Sequence, residues 1–155
     1  MKIQLLAIGK LKKKHWREAA EEYASRIRFY SQLKINELRD AKPSKQTIEF
    51  VQADESNRIL EKIPTTAFIV ALDKSGRQFP STRFADFLKE KELYGPATIC
   101  FCIGGPNGFS NDFLKRAHLV LALSSMTFPH ELARVMLLEQ IYRGFTILRG
   151  ENYHK

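Results

Sequence analysis

Long apolar runs are missing from this sequence, and that absence limits where the protein can work. No run approaches the roughly 20 residues that a membrane-spanning helix needs. The short apolar run near the N-terminus precedes its basic residues, whereas a secretory signal carries them first. We therefore expect a cytoplasmic protein that makes no use of a membrane.

Cysteine is also scarce, and the two that occur do not predict a site. Cys100 and Cys102 lie two residues apart in one apolar run. On a strand both side chains point to the same face, and this spacing disfavours a disulfide. No neighbouring histidine or further cysteine completes a metal-ligand set. Buried free thiols in a reducing compartment are expected, and no metal site is predicted.

Acidic residues are few relative to basic ones, with 17 Asp and Glu against 25 Lys and Arg and a net charge of +8. Nucleic acid is the leading partner class for a small basic domain, although a merely soluble basic surface is the alternative. One cluster stands where a helix is predicted to begin, and it is either a set of RNA contacts or a solvated turn. Its members are Lys10, Lys12, Lys13, Lys14 and Arg17.

Strand and helix patterns alternate along the chain, which predicts a mainly parallel sheet with helices on both faces. The 155 residues suit one domain, 1–155, without repeats or linkers. Predicted strands cover residues 2–8, 33–38, 66–72, 97–103 and 118–123. Predicted helices cover residues 14–29, 47–63, 81–93, 111–116 and 129–145, with a loop at 40–45 around Pro43 and a turn at 73–76. Ser81 or Thr82 is expected to cap the third helix and Ser110 the fourth. The second helix is expected to face inward with Ile48, Val51, Ile59, Leu60 and Ile63.

Two loops that follow apolar strands attract attention. The first holds Gly104, Gly105, Pro106, Asn107 and Gly108. It is neither G-x-G-x-x-G nor a P-loop, and its proline removes a backbone donor, so it is a poor phosphate cradle. Glycines here let the backbone pass close to a flat uncharged group such as an adenine. A tight strand-to-helix turn is the alternative.

The second loop runs over residues 124–129 and ends in Pro129, which suits the first position of a helix. Its small polar residues offer backbone donors and acceptors that can bind the edge of a purine, with Met126 and Phe128 as apolar walls. An ordinary helix start is the alternative. Together the two loops, with Leu72 and Asp73 as a further wall, favour a phosphate-free nucleoside cofactor, of which S-adenosylmethionine is the common one.

The C-terminal region holds an apolar helix and a short polar tail. The helix is apolar on more than one side, which is typical of a helix that is fully buried or shared with a partner subunit, so a homodimer is plausible. The tail, residues 152–155, either is disordered, as termini usually are, or closes the pocket. Its Tyr153 and His154 draw attention because histidine titrates near neutral pH.

Four segments carry a resemblance to a known family: LLAIGK, CIGGPNGFS, LSSMTFPHELARVMLLEQIYR and ENYHK. The chain resembles, essentially end to end, the ribosomal RNA large subunit methyltransferase H family of the SPOUT superfamily. The resemblance implies an α/β fold with a C-terminal trefoil knot, a homodimer and S-adenosylmethionine as methyl donor. It also implies N3 methylation of a pseudouridine in helix 69 of 23S rRNA on the assembled ribosome.

The resemblance also implies roles for residues. It places the cofactor on Leu72, Gly104, Leu123, Ser124, Ser125, Met126, Thr127 and Phe128, with Gly105 in the glycine wall, and it brings Tyr153 and His154 near cofactor and RNA. His154 is a candidate to take the N3 proton, and Arg134 or Arg143 to stabilise the developing anion. His130 competes as a catalytic candidate or is structural. Arg149 and Lys155 add basic charge near the tail.

Two other classes stay open. The chain could be a non-catalytic ribosome-associated RNA-binding protein that keeps the fold. It could also be a nucleotide-dependent enzyme of Rossmann type, although the missing phosphate-binding signature argues against that.

Overall fold

The computed structural model describes residues 1–41 and 45–155, and the centre of the predicted loop 40–45 lies outside them. Five strands and five helices alternate over these residues. The strands are β1 (Lys2–Ile8), β2 (Gln32–Leu38), β3 (Phe68–Gln78), β4 (Thr98–Ile103) and β5 (Leu119–Ala122). The helices are α1 (Lys14–Ile27), α2 (Ile48–Leu60), α3 (Ser81–Tyr94), α4 (Asn111–Arg116) and α5 (His130–Arg149).

The strands form one sheet in the order β2-β1-β4-β3-β5, and every pairing is parallel. A wholly parallel sheet must bury both faces, because its crossover connections lie on them. One core contains side chains of α1, α3 and α5, and the other contains those of α2 and α4. The predicted α/β class with a parallel sheet and helices on both faces is confirmed.

The central strands read as continuous apolar runs because both of their faces are covered. β4 is TICFCI, and its last five residues are buried. Cys100 and Cys102 are free and buried in it, as predicted. Burial raises the pKa of the Cys100 thiol to about 11, so it stays protonated and unreactive near neutral pH.

The largest difference from prediction is in β3, which does not end in a turn at residues 73–76. The strand continues to Gln78, and both Leu72 and Arg77 pair with Leu121 of β5. The four residues between them form an irregularity in the ladder, fixed by Asp73, whose carboxylate accepts from the amide and hydroxyl of Ser75. The turn chemistry at 73–76 was therefore recognised correctly, but its outcome is a bulge within one strand.

The helix ends agree with the sequence-based predictions only in part. Ser110 caps α4 as predicted, accepting from the Phe113 amide at 3.2 Å. The predicted cap of α3 is wrong, because Pro80 occupies the cap position and the Ser81 hydroxyl donates to Gln140 instead. α5 runs on past the predicted residue 145 to Arg149, where Gly150 ends it at φ 68°.

In α2 the predicted inward face is partly wrong. Ile48 is exposed, whereas Glu55 and Ser56 are buried along with Ile59. Both buried polar side chains bind backbone outside the helix, which replaces the apolar contacts that the sequence pattern predicted.

A candidate cofactor cavity at the carboxyl edge of the sheet

The two loops singled out in the sequence meet in one cavity of about 290 Å³. This volume is close to the lower end of the roughly 300–1,000 Å³ range of ligand pockets. The cavity opens where β4 and β5 end, beside the irregular part of β3, since the carboxyl ends of parallel strands share one edge. It is lined by Leu72, Asp73, Lys74, Ile103, Gly104, Gly105, Pro106, Asn107, Gly108, Leu121, Ala122, Leu123, Ser124, Met126, Thr127, Phe128, His130 and Ala133.

Eight of the nine predicted cofactor residues line this cavity, and Ser125 does not. The eight are Leu72, Gly104, Gly105, Leu123, Ser124, Met126, Thr127 and Phe128. The sequence did not identify Ile103, Lys74 or Ala133 as cavity residues. His130 was named only as a competing catalytic candidate, yet it lines the cavity. Its position follows from Pro129, which caps α5 and starts the helix against the pocket.

The glycine loop folds back on itself beside the end of β4. Gly108 donates its amide to the Gly105 carbonyl at 2.9 Å and adopts φ 74°, which only glycine takes up easily. A Cβ on Gly104 would lie 3.2 Å from the carbonyl carbon of Gly108. The loop is therefore a tight turn, one of the two alternatives that the sequence left open, and its approach to a flat group stays a prediction.

The second loop lines the cavity with Ser124, Met126, Thr127 and Phe128. Ser124 turns it by accepting from the Met126 amide at 3.0 Å. Met126 is 72% exposed at the mouth of the cavity. A large exposed apolar side chain beside a cavity is suited to cover an apolar ligand.

Charged side chains are sparse in the lining, which holds Asp73, Lys74 and the ring of His130. A phosphate clamp usually has several convergent charged donors, such as an arginine fork. One lysine beside one aspartate does not make such a clamp. The lining therefore suits a nucleoside-like group with balanced charge better than a di- or triphosphate.

The sequence matches one family of proteins over residues 1–154, the family described as "Predicted SPOUT methyltransferase". The chain belongs to this family. Within it, the chain is 45% identical over 159 residues to proteins named Ribosomal RNA large subunit methyltransferase H from Clostridium kluyveri and Clostridium beijerinckii. The identity to the protein of that name from Carboxydothermus hydrogenoformans is 43%. Each alignment covers 100% of both chains.

The fold of this SPOUT family member also resembles a solved structure, that of a probable methylase family protein from Haemophilus influenzae Rd KW20. The TM-score is 0.55 at 10% identity, and the match covers 99% of this chain and 70% of the other. At that identity the likeness concerns the fold alone. The knot that the resemblance implies stays a prediction.

Arg134, which the sequence offered as a catalytic candidate, does not line the cavity of this SPOUT chain. It is 1% exposed, its guanidinium donates to Glu37 at 2.6 Å and to the Gly9 carbonyl at 2.8 Å, and its Nε has no partner among the described residues. Burial lowers the pKa of the Arg134 guanidinium, opposed by the pairing with Glu37. The side chain ties α5 to the ends of β1 and β2.

Replacing Arg134 should therefore lower the free energy of unfolding rather than the rate of methyl transfer. Arg134→Met keeps apolar volume but leaves the Gly9 carbonyl and Glu37 without their donor. We expect a loss of about 2–3 kcal/mol in the free energy of unfolding in urea, with cofactor affinity of the folded protein within about twofold of wild type. A variant with the wild-type free energy of unfolding that has lost methyl transfer would instead support a catalytic role for Arg134.

The C-terminal tail packs against the second half of α5 in a cluster here called the tail cluster: Glu139 and Arg143 of the helix with Tyr153 and His154 of the tail. Arg143 donates to Glu139 at 2.8 Å and faces His154 Nδ1 at 3.3 Å, while the Tyr153 hydroxyl donates to Glu139 at 3.1 Å. Tyr153 also packs edge-on against Tyr142. The structure therefore brings Tyr153, His154 and Arg143 together around Glu139, an acid that was not predicted as a site residue.

The pKa shifts in the tail cluster determine which of its side chains can accept or donate a proton near neutral pH. Burial, with hydrogen bonds to Tyr23 and Glu139, raises the pKa of the Tyr153 hydroxyl, so the phenol stays protonated near neutral pH. The hydrogen bond to Glu139 raises the pKa of Arg143, which keeps it a cation. Tyr153 is thus a donor and Arg143 a fixed positive charge.

The tail does not close the cavity of its own chain, which corrects the expectation from sequence. His130 lines the cavity from the first turn of α5, and Arg143 is 13 residues further along the same helix. At 1.5 Å per residue this separation is about 20 Å. Within one chain the cavity and the tail cluster are two distinct places.

The basic cluster, in contrast, lies at the edge of the sheet that carries the cavity. It follows β1, the neighbour of β4, and the Lys12 amide donates to Glu131 beside His130. Lys10, Lys12, Lys13 and Lys14 are exposed. Arg17 is partly committed, because it donates to the backbone carbonyls of Leu11 and Lys12. No helix in the described part of the chain is long and apolar enough to cross a membrane.

Proposed function

We propose that this chain is an S-adenosylmethionine-dependent methyltransferase that acts on large-subunit ribosomal RNA. One observation carries the proposal: in a SPOUT family member, the two loops meet in one cavity that is lined by glycines, small polar residues and apolar side chains, with few charges. The cavity fits a cofactor with a flat base, a ribose and a zwitterionic amino acid. Bound there, the cofactor would supply an electrophilic methyl group.

The residues that would hold the cofactor divide by chemistry. Gly104 and Gly105 form the wall along which a base can lie close to backbone. Leu72 and Phe128 are apolar walls. The backbone of residues 123–127, Ser125 included, offers amides and carbonyls at the second loop. Asp73 and Lys74 can pair with an ammonium and a carboxylate at the cavity mouth.

We propose further that the target is N3 of a pseudouridine in helix 69 of 23S rRNA within the assembled ribosome. The resemblance described above supports this target, as do the names of the relatives. The N3 proton must leave as the methyl group arrives. His154, close to the fixed cation Arg143, is the candidate to accept that proton, and Arg143 to stabilise the anion.

A homodimer would reconcile this chemistry with the geometry. Since about 20 Å separate cavity and tail cluster along α5 of one chain, a second copy is needed to bring His154 and Arg143 to the cofactor. α5 supports such a contact, because its half-buried residues include the apolar Met136 beside Gln140. The single domain 1–155 would then act as a pair.

The proposal is tested by calorimetry and by labelling. We expect S-adenosylmethionine to bind one site per chain, without competition from ATP or NAD, and methyl groups from labelled cofactor to appear in 23S rRNA of undermethylated ribosomes by mass spectrometry. RNA binding without cofactor binding would favour a non-catalytic ribosome-binding protein. Competition by ATP would favour a nucleotide-dependent enzyme.

The basic cluster is proposed to contact RNA phosphates beside the cavity. Changing Lys12, Lys13 and Lys14 together to Ala removes three exposed cations. We expect the salt slope of ribosome binding to fall by about two to three units of log K per log salt. Cofactor affinity should not change, which calorimetry checks. An unchanged salt slope would mean that these lysines are not phosphate contacts.

A further inference from the structure

Helix α2 supports the glycine loop of the cavity from behind. Gln52 donates to the Asn107 carbonyl at 2.6 Å, and the Ser56 hydroxyl accepts from the Ser110 amide at 3.1 Å. Two hydrogen bonds with α2 therefore hold the C-terminal part of the loop, at Asn107, and the residue that caps α4, Ser110, and Glu55 lies between Gln52 and Ser56 on the helix.

Glu55 is an unusual residue to find there, because it is 3% exposed. Its Oε1 accepts from the Ala41 amide at 2.9 Å. Its Oε2 is buried and has no hydrogen-bond partner among the described residues. Burying a carboxylate oxygen without a partner opposes folding, so the retained acid needs another reason.

The unpartnered oxygen faces Gly105 in the cavity lining. A Cβ on Gly105 would lie 2.5 Å from Oε2 and 3.1 Å from the carboxyl carbon of Glu55. The φ of Gly105 is not in the left-handed region. Gly105 is thus required for space, unlike Gly108, which is required for its dihedral angle.

We propose that Glu55 is a positioning residue for the cofactor and acts through Gly105. Its carboxylate fills the space behind the loop and sets how far Gly105 projects into the cavity. Its other oxygen holds Ala41, so the same side chain links the loop to the connection that precedes α2. This proposal rests on the proposed function, because it assumes that S-adenosylmethionine occupies the cavity.

The first test removes or replaces the carboxylate. Glu55→Ala should speed amide exchange at residues 104–110 about tenfold in the cofactor-free protein, and should weaken S-adenosylmethionine binding by a similar factor. Glu55→Gln keeps the volume and the acceptor for Ala41, and should stay within about threefold of wild type in both. Glu61→Ala, an exposed acid of the same region, is the matched control and should change neither.

The second test separates positioning from general destabilisation. Gly105→Ala should weaken cofactor binding because its methyl group meets the carboxylate. Combined with Glu55→Ala it should do less damage than the product of the two single effects, since the space is then free. Independent effects, or wild-type exchange at residues 104–110 in Glu55→Ala, would overturn the proposal.

The two readouts also keep this proposal apart from the function itself. If the wild type binds no S-adenosylmethionine but Glu55→Ala speeds exchange of the loop, the cofactor assignment fails while the loop-positioning role of Glu55 is supported. If the wild type binds the cofactor and Glu55→Ala matches it in exchange and affinity, only the role of Glu55 fails. Urea unfolding of each variant identifies any that are not folded.

Discussion

Removing residues 152–155 is expected to reduce methyl transfer by at least about 100-fold while leaving S-adenosylmethionine affinity unchanged. The deletion removes Tyr153 and His154 from the tail cluster, and the loss of a positioned acid–base group alone costs about 10²–10⁴ in rate. The cavity lining contains no tail residue. The chain should still fold, because Glu151, which accepts from Tyr30, is retained. Calorimetry and single-turnover methylation of ribosomes measure the two quantities.

His154→Ala narrows the result to one side chain, and His130→Ala in the cavity is its matched comparison. We expect the large rate loss with His154→Ala and a mainly cofactor-binding effect with His130→Ala. The reverse pattern would assign the proton transfer to His130. A wild-type rate for His154→Ala at saturating cofactor and ribosome would exclude it as a general base.

Mixing two inactive variants tests whether the tail acts on a partner's cavity. One carries the tail deletion, and the other carries Ala133→Trp, which fills the cavity. If cavity and tail come from different chains, exchange of subunits restores about a quarter of wild-type activity, since half of the dimers then hold one working site of two. If both come from one chain, no mixture is active.

The features that were predicted best from the sequence are those that depend on residues close together in the chain. β1 and α4 have the predicted bounds, and Ser110 caps α4, because each depends on a local apolar run or a local hydrogen bond. The two loops were found for the same reason, as each follows directly from a strand. Their meeting also follows from parallel strands, whose carboxyl ends share an edge.

The features that were not predicted depend on contacts between residues far apart in the chain. β3 continues beyond residue 72 only because β5, about 50 residues later, pairs with it again. The burial of Glu55 and Arg134 depends on Ala41, Gly105, Gly9 and Glu37, none of which is close in sequence. From sequence, a charged residue is expected to be catalytic or solvent-exposed. A partner that is distant in sequence can instead hold it in the interior, where it stabilises the fold.

Gly76 illustrates such a distant constraint and carries the largest expected effect on stability. It lies in the irregular part of β3, and a Cβ there would come within 2.7 Å of three backbone atoms of Val120 and Leu121. Backbone cannot rotate away as a side chain can. Gly76→Ala must therefore separate β3 from β5, at a cost of about 3 kcal/mol in the free energy of unfolding.

Gly150→Ala is the control for this prediction, because it separates lack of space from a strained dihedral angle. Gly150 adopts φ 68° with nothing within 4 Å of an added Cβ. Its replacement should cost only about 1 kcal/mol. Because β5 leads directly into the second loop, Gly76→Ala should also weaken cofactor binding, whereas Gly150→Ala should not. Equal destabilisation by the two variants would mean that the close passage of β3 over β5 relaxes at little cost.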